Sequence, residues 1–258
     1  MSSKLVLKLD VLLVPGLLSV VDLSANSCAV IDILRATTTI TTALAAGAKE
    51  VIPCQNAIEA RQRTSALEDK TYLLGGEEKS VKIPGFDLGN SPLEYKPEIV
   101  RGKTIFFCTT NGTPTLKTAY AKSQLPVYIA ALLNLSGVAS EIVKQVEGKA
   151  PAKAVLICSG SYGNLAQEDV YCAGLMVKKI EVLAGERNIT LDLYDGAQVA
   201  QAFAASNESN ALEVLTTSKH GCSLEDIGFA SDLAFAAQID RYAIAPLFNG
   251  ESITLQSG

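Results

Sequence analysis

Short apolar runs alternate along this chain with longer stretches in which apolar and polar residues recur at helical spacing. The runs SCAVIDIL at residues 27–34, TIFFC at 104–108 and AVLIC at 154–158 are largely apolar at consecutive positions. Strands of this kind are buried on both faces, and strands that alternate with helices form largely parallel sheets. We therefore predict one domain of the α/β class over residues 1–258, with three α/β/α layers and a mostly parallel or mixed sheet.

The predicted elements keep this alternation along the chain. Strands are expected at residues 5–14, 27–34, 50–54, 72–74, 104–108, 127–130 and 154–158, with two short ones near 242–244 and 252–255. Helices are expected at residues 37–46, 57–67, 114–121, 135–146, 168–183, 196–205, 207–216 and 224–237. Residues 75–92 form a Gly/Pro-rich loop, and a loop of that length in a small domain is usually functional.

The charge balance excludes some classes of function. The chain has 22 Lys and Arg against 27 Asp and Glu, a formal net charge of −5, and lacks the basic block that a nucleic-acid partner requires. His220 is the one histidine, which excludes His-rich zinc sites. Because Gly221 follows it at the end of a helical stretch, we expect His220 to be a helix cap or a surface residue.

The cysteine pattern predicts reduced thiols in a cytoplasmic protein. No two of the six cysteines form a C-x-x-C pair, and four lie in apolar strand-like runs, which favours buried, unpaired thiols. No apolar run reaches the ~18 residues of a membrane span, so we expect no membrane association.

Ligand-type residues follow several predicted strands, at the sheet edge where open parallel sheets bind ligands. The sharpest group is Asp32, Arg35 and the three threonines Thr37, Thr38 and Thr39. Free amides and hydroxyls at a helix N-terminus, together with Arg35, would cradle a phosphate, and Asp32 would hold a metal beside it. The alternative is a capped helix in which Arg35 pairs with Asp32, and local chemistry leaves both open.

A second group lies in and beside the predicted loop. Glu77 and Asp87 are candidate oxygen ligands for a hard cation such as Mg²⁺. The alternative is that GNSP at residues 89–92 only forms a turn and a helix start, which turn chemistry favours.

The remaining candidates follow the strands at 104–108 and 154–158. Hydroxyls that flank a glycine form an amide-rich nest for phosphate oxygens, although Asn-Gly is also a tight-turn signature. Candidate phosphate ligands are Thr110, Asn111, Gly112, Thr113, Ser159 and Gly160. Glu168 is a candidate proton carrier, or an acid that merely favours a helix start.

Several well-known catalytic motifs do not occur. The chain has no G-x-x-x-x-G-K-[ST], no G-x-G-x-x-G and no G-x-S-x-G. No cysteine is followed by the five-residue spacer and arginine of a cysteine phosphatase, and Asp32 does not begin a D-x-D motif.

Five ordered blocks resemble the 2-phosphosulfolactate phosphatase (ComB) family. They are VIDILRATTT at residues 30–39, GGE at 75–77, GFDLGNSP at 85–92, TTNGT at 109–113 and SG at 159–160. The resemblance spans most of the chain, and the first and third blocks are specific. It implies a Mg²⁺-dependent phosphatase with an α/β/α fold that converts 2-phosphosulfolactate, or a related 2-phospho-2-hydroxy acid, to the hydroxy acid in coenzyme M synthesis.

For such a reaction we assign roles to the matched positions by their chemistry. Mg²⁺ held by Asp32, Glu77 or Asp87 would lower the pKa of a water, and Arg35 with the threonine helix end would neutralise the phosphate. Asp87 or Glu168 would carry the proton, and a covalent intermediate on an aspartate or on Cys108 stays open.

The expected partner is a small anionic phosphorylated substrate, and copies of the chain are candidates for a homo-oligomer. Two alternatives belong to other classes: a protein that binds a phosphorylated metabolite without turnover, and a phosphotransferase or lyase acting on a phosphorylated hydroxy acid.

Overall fold

An eleven-stranded mixed sheet, with helices on both faces, forms the centre of the protein. The structure is a computed structural model and describes residues 5–67, 71–146, 152–207 and 210–255. The strands are β1 Val6–Leu12, β2 Ser27–Ile31, β3 Glu50–Cys54, β4 Tyr72–Glu78, β5 Val81–Lys82, β6 Thr104–Cys108, β7 Val127–Ala130, β8 Ala152–Cys158, β9 Thr190–Leu193, β10 Leu247–Phe248 and β11 Ile253–Thr254.

Ten α-helices connect these strands in the described part of the chain. They are α1 Ala36–Ala45, α2 Ala57–Thr64, α3 Pro97–Val100, α4 Gly112–Ser123, α5 Leu135–Lys144, α6 Gln167–Glu186, α7 Asp195–Ser206, α8 Ala211–Thr217, α9 Lys219–Asp226 and α10 Ala230–Ala236. Short 3₁₀ turns add Pro15–Ser19, Pro92–Glu94 and Leu132–Asn134.

The sheet consists of two parallel blocks that a C-terminal hairpin joins. Its strand order is β5-β4-β6-β3-β11-β10-β7-β2-β8-β1-β9. The pairs within β4-β6-β3 and within β7-β2-β8-β1-β9 are parallel. The contacts β3–β11, β11–β10 and β10–β7 are antiparallel, so the strands of the two blocks run in opposite directions. The sheet is therefore mixed and mostly parallel, as the sequence predicts.

Strand β2 shows why both faces need helices. Ala29 and Ile31 pack into the core beneath α5, α6 and α7, while Cys28 and Val30 pack into the core beneath α1 and α4. Successive strand residues point to opposite faces of the sheet, and all four side chains are buried, so both faces must be covered. The continuous apolar pattern of β2 thus produces the three layers.

The best-predicted elements are the short buried strands. The bounds 50–54, 104–108 and 127–130 agree with β3, β6 and β7, and most predicted helices agree within a few residues. All six cysteines are free; five are buried and Cys222 is exposed. Among the described residues no helix is long and apolar enough to cross a membrane.

Three predicted segments differ from the structure. The loop at 75–92 is partly regular, since β4 runs to Glu78 and turns into β5. The helix at 224–237 is two helices separated at Gly228, whose φ of 89° ends the first. The predicted strand near 242–244 is absent from the described tail, where β10 forms instead at Leu247–Phe248, and strand β9 has no counterpart in the prediction. The predicted helix at 207–216 includes residues 208 and 209, which lie outside the described residues.

Gly76 provides a test of how tightly β4 packs on β6. Its φ is 127°, and an added Cβ would lie 2.0 Å from the carbonyl oxygen of Cys108. Backbone strain and overpacking together make Gly76→Ala destabilising by at least ~2 kcal/mol, which urea unfolding would measure. Gly185→Ala is the control, because Gly185 lies in α6 with open space around it and alanine favours helix there. Equal stability of the two variants would contradict the packing.

Candidate active site

Loops from both blocks of the sheet meet in a small buried pocket, which we name the inner pocket. It follows β2 and β8 in one block and β4 and β6 in the other. Its volume is about 20 Å³, enough for one water molecule or a small ion. Its lining residues are Asp32, Leu34, Arg35, Glu77, Ser80, Asn90, Thr109, Thr110, Asn111, Tyr162 and His220.

Asp32 lies at the turn between β2 and α1 and shapes that turn. Its Oδ1 accepts a hydrogen bond of 3.2 Å from the Ala36 amide, and its own amide donates to the Thr37 hydroxyl at 3.1 Å. The α1 N-terminus is thus bonded to Asp32. The N-terminus of α4 is equally close, since a Cβ on Gly112 would lie 2.8 Å from Asp32 Oδ2.

Arg35 is fixed by contacts from two distant segments, the β4–β5 hairpin and the start of α10. Its Nη1 lies 2.8 Å from Asp232 Oδ2, with both side chains 2% exposed, and its Nη2 donates to the Ser80 carbonyl at 2.8 Å. The guanidinium also stacks 4.1 Å from the ring centre of Phe229. Arg35 therefore pairs with Asp232 and not with Asp32, which corrects the pairing considered from the sequence. Further N–H donors of the guanidinium remain for a ligand.

Glu77, at the end of β4, connects two of the loops. Its Oε1 accepts from the Thr110 amide at 2.8 Å, and its Oε2 accepts from the Ser80 amide at 2.6 Å. These bonds hold the carboxylate in the pocket beside Asp32. The pKa of Asp32 is raised to about 6, chiefly by burial and to a smaller extent by the negative charges of Glu77 and Glu168, while His220 and the Ala36 amide act to lower it.

The inner pocket has the oxygen donors that suit a hard cation. Asn90 Oδ1 is buried and has no hydrogen-bond partner among the described residues, and Asn90 lines this pocket with Asp32 and Glu77. A buried carbonyl oxygen without a partner is costly, and a cation between two neighbouring carboxylates offsets the repulsion of their negative charges. No group of three or more His, Cys, Asp or Glu in the described ranges is arranged to hold a metal, so the fit depends on the amide oxygen.

Glu168 and His220 form a second titratable pair at the mouth of the inner pocket. His220 Nδ1 lies 3.6 Å from Glu168 Oε1, and the Glu168 side chain is 2% exposed. Burial lowers the pKa of His220, but the hydrogen bond and charge of Glu168, with the charge of Asp32, outweigh this and raise the pKa overall. His220 is the second residue of α9 and lines the pocket, so its prediction as a helix cap or surface residue is wrong.

Asp169, which follows Glu168 in α6, accepts hydrogen bonds from backbone amides of two loops. Its Oδ1 accepts from the Ile33 amide and its Oδ2 from the Gly160 amide, each at 3.0 Å. It thereby ties the loop after β2 to the loop after β8. Burial, with the charges of Asp32 and Glu168, raises its pKa.

Cys108 is held as a thiol at the end of β6. Its hydrogen bond with Cys54, its register partner in β3, raises its pKa, and burial raises it further. Because the thiolate is the nucleophilic form, this environment argues against a covalent intermediate on Cys108.

The structure brings together only part of the predicted set. Asp32, Arg35, Glu77, Thr110 and Asn111 line the inner pocket, and Glu168 lies beside it. Asp87 is exposed outside the pocket, and its Oδ2 accepts from the Leu74 amide at 2.8 Å. Asp87 therefore does not join Asp32 and Glu77.

The other predicted phosphate ligands stabilise the loops that form the pocket. The hydroxyls of Thr38 and Thr39 donate to backbone carbonyls of Ile33 and Asn90. Thr113 bonds to Thr109 at the start of α4. Also outside the pocket lining are Thr37, Gly112, Ser159 and Gly160.

Three residues from the segment after α8 carry no local motif that would predict a role at the site. His220 lines the inner pocket, and Phe229 and Asp232 contact Arg35 in its wall. Asn90 and Tyr162 did have a signal, because each lies in or beside a block that resembled the family.

The fold and pocket define a class: an α/β protein with a small polar pocket where strand ends from both blocks of its sheet meet. Comparison with known proteins narrows this class. Residues 15–251 match the family described as 2-phosphosulpholactate phosphatase. The chain belongs to the 2-phosphosulfolactate phosphatase family, and its activity class is therefore that of a phosphoric monoester hydrolase of this type.

Individual relatives agree over nearly the full length. A protein of Caldanaerobacter subterraneus subsp. tengcongensis is 39% identical over 89% of this chain and 90% of the relative. A protein of Carboxydothermus hydrogenoformans is 39% identical over 93% of this chain and 92% of the relative. A protein of Clostridium perfringens strain 13 is 35% identical over 98% of this chain and 98% of the relative. All three are named "Probable 2-phosphosulfolactate phosphatase".

The buried pair of Arg35 and Asp232 is expected to contribute strongly to stability. Asp232→Ala leaves the guanidinium buried without its ion-pair partner, which costs ~3–5 kcal/mol in the free energy of unfolding. Glu141→Ala breaks an ion pair with Lys144 that is partly exposed to solvent and costs ~1 kcal/mol or less. Denaturant unfolding of both variants measures the difference, and similar losses would contradict the assignment.

Proposed function

We propose that this protein is a Mg²⁺-dependent phosphatase that hydrolyses 2-phosphosulfolactate, or a related 2-phospho-2-hydroxy acid, to the hydroxy acid and phosphate. The observation that carries this proposal is the inner pocket itself. It places a fixed guanidinium beside two buried carboxylates and an amide oxygen without a partner. The names of the family and its relatives support the substrate.

Arg35 binds the phosphoryl group. Asp232, Ser80 and Phe229 hold the guanidinium before substrate arrives, so its remaining N–H groups face little reorganisation in the transition state. The polar groups of Thr110 and Asn111 line the same pocket and are available to the other phosphoryl oxygens.

Asp32, Glu77 and Asn90 hold the cation. Carboxylate and amide oxygens are the ligands that Mg²⁺ prefers, and the pocket volume suits one small ion. When bound, Mg²⁺ supplies Lewis acidity to a phosphoryl oxygen and lowers the pKa of a water. Asp87 is left out of this set because of its position.

Glu168 and His220 carry the proton. The pair lies at the mouth of the pocket, where the leaving oxygen of a phosphate held by Arg35 would emerge. The Glu168 carboxylate raises the pKa of the imidazole and so favours its protonated form, from which His220 donates a proton to the leaving 2-oxygen. Asp169 positions the two loops around this pair.

The cellular setting is proposed on the same basis. Six free cysteines support a reducing compartment such as the cytoplasm. The substrate in the family name supports a place in coenzyme M biosynthesis. A homo-oligomer remains a prediction, which native mass measurement would test.

Release of inorganic phosphate from 2-phosphosulfolactate without any acceptor is the primary test. Phosphate release excludes a pure binding protein and a phosphotransferase, and recovery of the intact hydroxy acid excludes a lyase. No release with Mg²⁺ or Mn²⁺ present would overturn the proposal.

The dependence of activity on Mg²⁺ tests whether the cation is held at Asp32, as proposed here, or at Asp87, which the sequence also predicts. EDTA is expected to abolish activity, and Mg²⁺ to restore it. Asp32→Asn lowers kcat by a factor that corresponds to ~2–4 kcal/mol and weakens Mg²⁺ dependence. Asp87→Asn is the matched control and keeps the wild-type kcat and the wild-type Mg²⁺ dependence, since Asp87 lies outside the pocket. Steady-state kinetics over a Mg²⁺ titration measures all three proteins, and full activity after chelation would refute the metal.

Arg35→Lys tests the phosphate contact. An ammonium does not reproduce the planar contacts of a guanidinium to Asp232, Ser80 and the phosphate, so kcat/KM falls about a hundredfold or more. Arg61→Lys, at an exposed arginine that donates to the Pro84 carbonyl, is the control and stays near wild type. Wild-type kinetics for Arg35→Lys in a folded protein would remove Arg35 from the site.

A further inference from the structure

A larger cavity of about 660 Å³ adjoins the inner pocket, and we name it the outer pocket. The two share Ser80, Tyr162 and His220 in their walls, so a ligand whose phosphate contacts Arg35 where the two pockets join extends into the outer one. The inner pocket has room for one small ion only. The rest of a substrate, which is the alcohol part of the ester, must therefore be recognised in the outer pocket.

Two lysines line this outer pocket from different elements. Lys79 is at the tip of the β4–β5 hairpin, and Lys219 is the first residue of α9. Both are exposed, and within the described ranges neither ammonium forms an ion pair. The one acidic residue of the lining, Glu168, faces His220. The outer pocket is therefore positive beside an inner pocket of carboxylates, in a chain whose formal net charge is −5.

The hairpin that carries Lys79 is built in an unusual way. Glu78 pairs with Val81, so Lys79 and Ser80 are the two turn residues, and both have positive φ, 52° and 67°. Such turns ordinarily use Asn-Gly, because positive φ strains other residues. The strained turn is held by the Ser80 amide on Glu77 and by the Ser80 carbonyl on Arg35. These bonds fix Lys79 relative to the phosphate-binding guanidinium.

We propose that Lys79 and Lys219 form an anion subsite that selects phosphate esters whose alcohol part carries a second anionic group, a carboxylate or a sulfonate. This inference rests on the proposed function and names the residues that set its specificity. At an exposed site an ammonium attracts a nearby anion only modestly. The two lysines are therefore expected to change the preference between substrates more than the rate of the chemical step.

The test compares kcat/KM for 2-phosphosulfolactate with kcat/KM for p-nitrophenyl phosphate, whose alcohol part is uncharged. Lys79→Met and Lys219→Met keep the length and apolar stem of lysine, and each is expected to lower this ratio about fivefold. The double variant lowers it tenfold or more. Lys49→Met is the control, because Lys49 is exposed beside Glu50 at the start of β3 and does not line either pocket. An unchanged ratio in the double variant would overturn the subsite.

Two further esters identify the anion that is recognised. 2-Phospholactate carries only the carboxylate, and the phosphate ester of 2-hydroxyethanesulfonate carries only the sulfonate. The ester whose ratio to p-nitrophenyl phosphate falls in the double variant is the one that the lysines contact. Loss of the preference at high salt in the wild type is expected as well, because exposed charges are screened.

A binding measurement keeps this proposal separate from the proposed function. Sulfolactate carries both anionic groups and no phosphate, and calorimetry measures its Kd without turnover. The Kd is expected to rise in the double variant and to stay the same in Lys49→Met. If the wild type hydrolyses no ester but this shift occurs, the proposed function fails and the subsite stands. If the wild type does not bind sulfolactate, or the variants bind it equally, the subsite fails.

Discussion

The buried ion pair between Arg35 and Asp232 holds together parts of the chain that are nearly two hundred residues apart. Asp232 Oδ1 also accepts from the Ser91 hydroxyl at 2.6 Å, so one carboxylate connects α10, the turn before α1 and the segment after β5. Charges this deeply buried are tolerated only when their hydrogen-bonding groups have partners. The pair therefore fixes the guanidinium with an accuracy that a surface arginine would not have, and the inner pocket depends on it.

The site separates its charges in space. The inner pocket concentrates negative charge on Asp32 and Glu77, which suits a cation, whereas the outer pocket carries Lys79 and Lys219. Arg35 lies in the wall of the inner pocket and is bonded to the hairpin that bears Lys79. An acidic protein can in this way accept a substrate with several negative charges, because each charge meets a local counter-charge and the net charge of the chain matters little.

The sequence predicts the layers and the neighbourhood of the site better than the contacts within it. Strands such as β3 and β6 are recognisable because consecutive apolar residues need cover on both faces. Asp32, Arg35 and Glu77 are recognisable because polar residues directly follow buried strands. His220 and Asp232 have no such signal. The packing of the short helices α9 and α10 brings His220 to the pocket wall and Asp232 to Arg35. Asp87 is the opposite case. Its sequence motif is specific, but its carboxylate accepts a hydrogen bond from the Leu74 amide and lies outside the pocket.

The threonine hydroxyls at the start of α1 bond to the protein's own backbone, outside the lining of the inner pocket. A β-branched run in a first helical turn needs a reason, and a phosphate cradle was one. In the fold the hydroxyls of Thr38 and Thr39 donate to carbonyls that precede and flank the helix, and Asp32 accepts from the α1 amide of Ala36. The positive end of the helix therefore acts on the Asp32 carboxylate and helps to keep it charged against burial and against Glu77. The proposed cation site requires a charged Asp32, so the threonine run would support that site by maintaining the turn that holds this carboxylate.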